Sequence, residues 1–406
     1  MMQRMLSLIT SVILFFSAGA LSGGSGREQA CAVAENKYAA AGYEITVRLL
    51  TERYDAVLHR MRDKPLSLSL PFVWSAASFI ETMADAYRLF PDNMRLKRDY
   101  CDALSNTIGR YLVKNAEINI PGGTVSGVSY YNASAGNKDD YYYDDNEWVC
   151  IQLLLGYKQL GKTAFLDAAK KNLDFLWTGW DDALGGGLYW SKDCISKNAC
   201  SNAPASIAFL LAYQCTGDTQ YLEKGKRIYD WMNAVMREDD LFIDNITVDS
   251  GARSGWKGIY NQATMIYAGA LMYEITGDES YYNLTNRTVD ATLNLMFREE
   301  PGEDGAMQIR MNGNPIFKAW CVGWLARSYV KFYEIDPAKN TKPLELLKAV
   351  LDRELLTKTP CGLYDPFFCS GDSDPDNRTE LLAQDGVASV FLCTAYYDVF
   401  LKNADA

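Results

Sequence analysis

Thr216-Gly217-Asp218-Thr219-Gln220-Tyr221-Leu222 carries a helix stop, a turn and a helix start in one short stretch. Glycine supplies the positive φ that ends one helix, and aspartate caps the next. The pattern returns along the chain. Leu160-Gly161-Lys162 precedes Phe165-Leu166, and Thr276-Gly277-Asp278 precedes Tyr281-Tyr282. Phe90-Pro91-Asp92 and Ile335-Asp336-Pro337 are weaker copies. The turn positions 161, 217, 277 and 336 lie 56, 60 and 59 residues apart. A period of that length built from helix, turn and helix marks a repeat architecture.

Reading the 3.6-residue periodicity outward from these turns predicts twelve helices. They cover 32–60, 74–89, 92–113, 144–159, 163–178, 200–215, 219–236, 260–276, 279–297, 316–335, 341–356 and 381–402. No convincing run of alternating strands is present. The expected fold is all-α, a closed (α/α)6 barrel of six hairpins. An open solenoid is the alternative, and closure is favoured because neither end shows a polar capping repeat. At about 150 residues per domain, 406 residues suggest two or three domains. The hairpin period instead assigns 32–402 to a single ring.

The connections are unequal. Links after even-numbered helices are about five residues or fewer, as tight helix–helix turns allow. Links before them are long: 62–73, 114–143, 179–199, 237–259, 298–315 and 357–380. Antiparallel hairpins put all six long links on one face, where the even helices, as the inner ring, begin. Long links in a compact domain are usually functional. These are rich in Gly, Asp, Tyr and Trp, which suits a cleft lined by polar groups and flat rings.

Composition narrows the chemistry. Lys+Arg number 40 against 51 Asp+Glu, a net charge of −11, which repels phosphate backbones and argues against nucleic acid as a partner. The only histidine is His59, which excludes His-rich zinc sites and leaves a Ser-His-Asp triad one candidate. His59 closes the first helix, on the short-link side or beyond the core, and reads as a surface or structural residue. Nine Trp, 26 Tyr and 16 Phe, beside many carboxylates, point toward carbohydrate chemistry.

Met1-Met2-Gln3-Arg4, an apolar run from Met5 to Phe16 and Ser17-Ala18-Gly19-Ala20 form a secretory signal peptide, residues 1–20, followed by a linker over 21–31. The apolar run is too short to span a bilayer, so no stable membrane insertion is expected. All ten cysteines lie beyond the cleavage point. In an oxidising compartment Cys194–Cys200 and Cys361–Cys369 are the favoured bridges, while Cys150, Cys321 and Cys393 are expected as buried thiols.

The strongest local signal is Asp139-Asp140-Tyr141-Tyr142-Tyr143-Asp144-Asp145-Asn146-Glu147-Trp148, which closes the longest link and opens the fourth helix. Asp144 and Asp145 fall at or beside the N-cap, where acidic residues ordinarily cap the helix and complement its dipole. Two of them, after three tyrosines, exceed what a cap requires. Cleaving a glycoside needs an acid at the leaving oxygen and a second carboxylate at the anomeric carbon. Adjacent residues at a helix start can place their carboxyls about 5–5.5 Å apart, the separation of retaining enzymes. Asp139-Asp140 and Asp144 also resemble the Mg²⁺ motif of terpene synthases. That chemistry wants aspartates inside a helix facing a dry cavity, whereas these follow Gly136-Asn137-Lys138 in a loop.

Tyr142-Tyr143-Asp144-Asp145-Asn146-Glu147-Trp148 resembles the catalytic signature of glycoside hydrolase family 76, the endo-α-1,6-mannanases. Further segments resemble the family in order: Phe72-Val73-Trp74-Ser75-Ala76-Ala77, Gly185-Gly186-Gly187-Leu188-Tyr189-Trp190, Lys197-Asn198-Ala199-Cys200-Ser201-Asn202, Tyr260-Asn261-Gln262-Ala263, Ile316-Phe317-Lys318-Ala319 and Gln384-Asp385-Gly386. The resemblance spans about residues 70–395 and implies an (α/α)6 barrel. It also implies a retaining hydrolase of α-1,6-linked mannan, with Asp144 as nucleophile and Asp145 as general acid/base. The substrate groove would be lined by Trp74, Tyr143, Trp190, Asn198, Asn261, Gln262, Lys318 and Gln384. The implied partner is α-mannan or a mannose-containing oligosaccharide, met by a secreted monomer that uses neither cofactor nor metal. Helix capping and core packing are the competing roles for the Asn, Gln and Trp residues. An α-1,6-mannan transglycosylase and a non-catalytic glycan-binding toroid are the alternatives. Glu147, Cys150 and Cys200 depart from the family's pattern.

Overall fold

The computed structural model describes residues 24–137, 139–301, 307–311, 319–358, 363–364 and 381–402. The signal-peptide segment, Lys318, Cys361 and Cys369 lie outside them. A leading helix, Gly24–Glu35, covers most of the stretch read as linker. Twelve further helices follow: α1 Lys37–Arg53, α2 Val73–Leu89, α3 Met94–Asp102, α4 Tyr143–Leu160, α5 Thr163–Trp177, α6 Ala199–Thr216, α7 Thr219–Trp231, α8 Ile259–Thr276, α9 Glu279–Met296, α10 Ala319–Ile335, α11 Lys342–Glu354 and α12 Leu381–Tyr396. The even helices form the inner ring. Each packs on the next, and α12 packs back on α2, so the ring closes as an (α/α)6 toroid.

The hairpin turns form as their residues dictate. Gly161, Gly217 and Gly277 adopt φ of 69°, 72° and 68°, and their N–H groups return to Tyr157, Tyr213 and Tyr273. Asp218 and Asp278 then accept the N–H groups of Gln220 and Ser280 to start the outer helices. The two rings differ in composition for a physical reason. Inner α6 is buried continuously from Ala199 to Ala212, on every face and not along one stripe. Outer α7 buries only Tyr221, Gly225, Ile228, Tyr229 and Trp231, one stripe of an amphipathic helix.

The long links are not strandless, which corrects the sequence reading. Tyr54–Asp55 (β1) pairs with Arg60–Met61 (β2), and Leu112–Ile120 (β3) with Gly123–Tyr131 (β4), all antiparallel. Ser196–Asn198 (β5) pairs with Asn245–Thr247 (β8). Arg237–Glu238 (β6) pairs with Leu241–Phe242 (β7), and Phe297–Pro301 (β9) with Met307–Met311 (β10). The β3–β4 ribbon is largely solvent-exposed and bulged, so it lacks the alternation that marks a half-buried strand. Helix α3 accordingly gives way to a wide turn over Ala103–Thr107, short of residue 113. His59 sits in the β1–β2 turn, at the end of the chain leaving α1, and its Nδ1 lies 2.9 Å from Asp102 of α3. That places it on the long-link rim, not the short-link side.

Each of three inner helices is anchored by one amide four residues past its N-cap. Asn146 bonds both the N–H and C=O of Tyr131 (2.7 and 2.9 Å) and donates to the N-cap carbonyl of Tyr142. Asn202 does the same with Leu188 (2.7 and 2.9 Å) and Asn198. Gln262 does so with Phe242 (2.7 and 2.8 Å) and Gly258. A carboxamide alone offers a donor and an acceptor side by side, so it matches a strand edge without charge. All three side chains are fully buried, and their bonds satisfy loop backbone that water does not reach. Asn202→Ala should therefore lower unfolding stability by about 2–4 kcal/mol, since it strands the N–H and C=O of Leu188. Urea denaturation of the variant beside wild type measures this, and a loss within about 0.5 kcal/mol contradicts the role.

Candidate active site

Asp144 and Asp145 occupy the first turn of α4, but the N-cap is Tyr142 and no side chain caps that end. Capping is therefore not what the pair does. Asp144 Oδ1 accepts the backbone N–H of Asp145 at 3.0 Å, and Asp144 Oδ2 accepts the indole N–H of Trp190 at 3.0 Å. The Cys200 thiol, in the first turn of α6, is a further hydrogen-bond partner of Asp144. Burial pushes Asp144 up to about 6, while these donors hold it back. Asp145 is also pushed well above the usual carboxylate range, by burial and then by the charges of Asp144 and Asp140. The two carboxyls thus differ in surroundings although they are adjacent in the chain.

Tyr260, which faces Asp144, belongs to a connected layer of rings. Trp320 packs edge-on against both Trp74 and Trp148, with centroids 5.0 and 5.1 Å apart. Tyr260 stands 5.8 Å from Trp320 and 6.0 Å from Trp256. Beneath them, Glu81 accepts the indole N–H groups of Trp320 and Trp324 at 3.3 and 3.2 Å and pairs with Arg327 at 3.2 Å. Burial raises Glu81 to about 8 against the opposing charge of Arg327. The floor of the cleft is therefore aromatic above and polar below, and the polar layer orients the rings.

The loop that delivers Trp190 is held by a buried ammonium. Lys197, fully buried on β5, donates to the Asp181 carboxylate and to the carbonyls of Asp181, Ala183 and Gly186. Tyr189 donates from its hydroxyl to Asp181 at 2.6 Å. Gly187 has φ of 90°, and a Cβ there would meet the Trp231 ring at 2.8 Å, so only glycine fits.

The predicted residues divide. Asp144, Asp145 and Trp190 meet at the mouth, and Trp74 joins the aromatic floor with its indole N–H unpartnered among the described residues. Asn261 donates weakly to Asp244 at 3.4 Å and keeps a buried, unpartnered carbonyl oxygen among the described residues. Asn198 is half-buried at the N-cap of α6, where its side chain accepts from Ser196 at 2.7 Å. Three assignments need correction. Tyr143 is core: it stacks on Phe175 at 5.1 Å, because the helical phase turns it outward from the ring axis. Gln262 is fully buried and spends both amide donors and an acceptor on Phe242 and Gly258, so it serves the backbone and not the groove. Gln384 lines a separate cavity with Ile45, Leu49, Arg53, Pro65 and Leu363, against α1. Its neighbour Asp385 is the inward residue, accepting from Ser78 and Gly386 at 2.7 Å each. Burial raises Asp385 to about 7.

Sequence reasoning missed Asp244, Cys200 and Glu147 as parts of the site. Asp244 accepts from Tyr260 at 3.4 Å and from Asn245 at 2.8 Å; an acid within the long link that precedes α8 was the available signal. Glu147 is fully buried, and burial raises it well above its ordinary range. The expected Cys194–Cys200 bridge is absent: both are free thiols. Extended β5 carries Cys200 into the inner ring, while Cys194 stays in a surface turn donating to the Lys192 carbonyl. Cys150, Cys321 and Cys393 are buried thiols, as expected. Among the described residues no helix is long and apolar enough to cross a membrane.

A closed helical ring whose loop-bearing mouth holds paired carboxyls and exposed rings defines the class, an (α/α)6 toroid of the glycosidase type. The chain belongs to glycosyl hydrolase family 76, whose family model matches residues 37–347. A family 76 glycoside hydrolase from a bovine Bacteroides thetaiotaomicron strain superposes with a TM-score of 0.77 at 21% identity, over 90% of this chain and 79% of that one. An inactive α-1,6-mannanase variant of Salegentibacter sp. HEL1_6 has two aspartates replaced by asparagine and was solved with α-1,6-mannotriose. It superposes with a TM-score of 0.65 at 20% identity, over 88% of this chain and 99% of that one. By sequence, the mannan endo-1,6-alpha-mannosidases of Candida glabrata and Saccharomyces cerevisiae are 29% and 28% identical over 126 residues. Each match spans 28% of this chain and 28% of the yeast protein.

Lys197→Met should leave Asp181 and three carbonyls without their cation and lower stability by about 3 kcal/mol. Thermal or denaturant unfolding measures the loss, and an unchanged midpoint contradicts the staple.

Proposed function

We propose that this protein is a secreted, retaining glycoside hydrolase that cleaves internal α-1,6-mannosidic linkages, with Asp144 as nucleophile and Asp145 as general acid/base. The observation that carries this reading is the unequal environment of the two carboxyls. Each oxygen of Asp144 accepts a hydrogen bond, which favours the carboxylate. Among the described residues no donor reaches the Asp145 side chain, which faces the charges of Asp144 and Asp140, and this favours the acid. One proton on the pair, held by Asp145, is the state a double displacement needs.

The chemistry follows. Asp145 gives its proton to the glycosidic oxygen as that bond breaks, and an Asp144 oxygen bonds to the anomeric carbon. Asp145, now ionised, takes a proton from water, whose oxygen displaces Asp144 and restores the original configuration. The rings of Trp74, Trp190, Trp256 and Tyr260 supply flat apolar surface for the sugar faces. The α-1,6-mannan specificity rests on the family and on the relatives' activities. Residues 1–20 as a cleaved signal peptide and 32–402 as a single catalytic domain complete the reading.

Incubation with linear α-1,6-mannan should release shorter oligosaccharides, and NMR of the first-formed product should show the α-anomer. Binding without cleavage contradicts the enzyme and favours a glycan-binding toroid. Lengthened products in place of new reducing ends indicate a sugar acceptor. Asp144→Asn and Asp145→Asn should each lower kcat/KM by about three orders of magnitude or more, with the fold intact. Activity should rise as pH passes about 6, where Asp144 ionises, and fall at higher pH as Asp145 loses its proton. EDTA should leave turnover unchanged.

A further inference from the structure

Trp190 is built differently from a ring that only stacks on a sugar. Its indole N–H reaches Asp144 Oδ2 at 3.0 Å, and its ring lies 5.0 Å from that of Tyr142. Its own backbone is pinned on both sides. The Trp190 N–H donates to the Ser196 carbonyl at 3.0 Å, and the Trp190 carbonyl accepts from Tyr143 N–H at 2.9 Å. The second of these bonds ties it to the residue immediately before Asp144. A bridge between Tyr142 and Ser191 closes the same junction. Behind it, Lys197 gathers Asp181, Ala183 and Gly186, and Tyr189 N–H donates to the Gly179 carbonyl at 3.0 Å. The indole is thus positioned by a rigid frame, although 38% of Trp190 remains exposed. A stacking platform needs a face toward the ligand; it does not need its N–H directed at a carboxylate.

We propose that Trp190 is a positioning residue for Asp144, its indole N–H fixing the carboxylate's orientation and favouring its ionised form, with the Lys197 frame holding the indole in place. This rests on the reading of Asp144 as nucleophile. In that role the N–H acts twice. It holds an oxygen of Asp144 in place before attack, and it stabilises the carboxylate that departs when water cleaves the glycosyl ester. The groups facing Asp144 are Asp145 and Glu147 of α4, Trp190 of the link before α6, Cys200 of α6 and Tyr260 of α8. Of these, only Trp190 is a neutral side-chain N–H donor, so only its removal takes away a strong hydrogen bond without altering charge.

Trp190→Phe keeps an aromatic ring and deletes the N–H, while Trp190→Ala deletes both. The test compares kcat and KM of wild type and both variants on linear α-1,6-mannan across pH, and follows the aspartate carboxyl carbons by NMR titration. Trp190→Phe should lower kcat about tenfold, leave KM nearly unchanged and move the acidic limb to higher pH, because the carboxylate has lost a donor. Full kcat and an unmoved acidic limb in Trp190→Phe, with a raised KM only in Trp190→Ala, overturn the proposal and leave a stacking platform. If wild type does not cleave the mannan, the functional reading fails by itself. The NMR titration then still decides this proposal: Asp144 should protonate at higher pH in Trp190→Phe, and an unchanged titration overturns it.

Discussion

Closure of the inner ring is the constraint on which the rest depends. Once α12 packs against α2, the inner helices are enclosed by neighbours on both sides, outer helices behind and each other across the axis. Water reaches them mainly at their ends. The polar groups at those ends must then find partners in the protein, and the amides of Asn146, Asn202 and Gln262 provide them. The same enclosure makes carboxyls in the first turn of α4 expensive to ionise. Both are raised by burial first; the charges of Asp144 and Asp140 add to the rise of Asp145, whereas hydrogen bonds hold Asp144 back. The architecture therefore tunes the site through desolvation before any specific contact is counted.

Specific contacts then separate the two aspartates. Trp190 and the Asp145 N–H serve Asp144, and the frame behind Trp190 is itself polar and buried. Lys197 shows how this frame is made rigid. An ammonium with carbonyls and a carboxylate around it replaces what would otherwise be several unsatisfied loop groups. A second polar layer lies under the cleft, where Glu81, Asp85 and Arg327 form a buried cluster and Ser389 accepts from the same guanidinium at 2.8 Å. Its bonds to Trp320 and Trp324 couple the barrel axis to the orientation of the cleft rings.

Legibility in the sequence follows the range of the forces involved. Gly161, Gly217 and Gly277 act within one turn, and the helices they delimit were readable to within a few residues. The β3–β4 ribbon was not, because its pairing is sustained by backbone bonds and a turn at Gly122, with little burial to pattern its side chains. Within the site, the acidic pair was legible because two aspartates beyond a cap have no local use. Tyr143 was misread because Tyr142 and Tyr143 differ only in helical phase, which decides whether a ring faces the mouth or Phe175. Gln262 and Asn261 are both amides, and only the position of Phe242 on β7 determines which one is occupied.

The period, the number of hairpins, the face that carries the long links and the location of the acidic pair are all written in local sequence. All of these depend on residues within a few positions of one another, where φ, capping and apolar spacing act directly. Long-range packing settles which aspartate receives hydrogen bonds, which amides are structural, that Cys200 faces Asp144 instead of Cys194, and that Gln384 yields its inward place to Asp385. Those outcomes depend on burial and on donors brought from other hairpins, and desolvation is a property of the closed ring that no local stretch possesses.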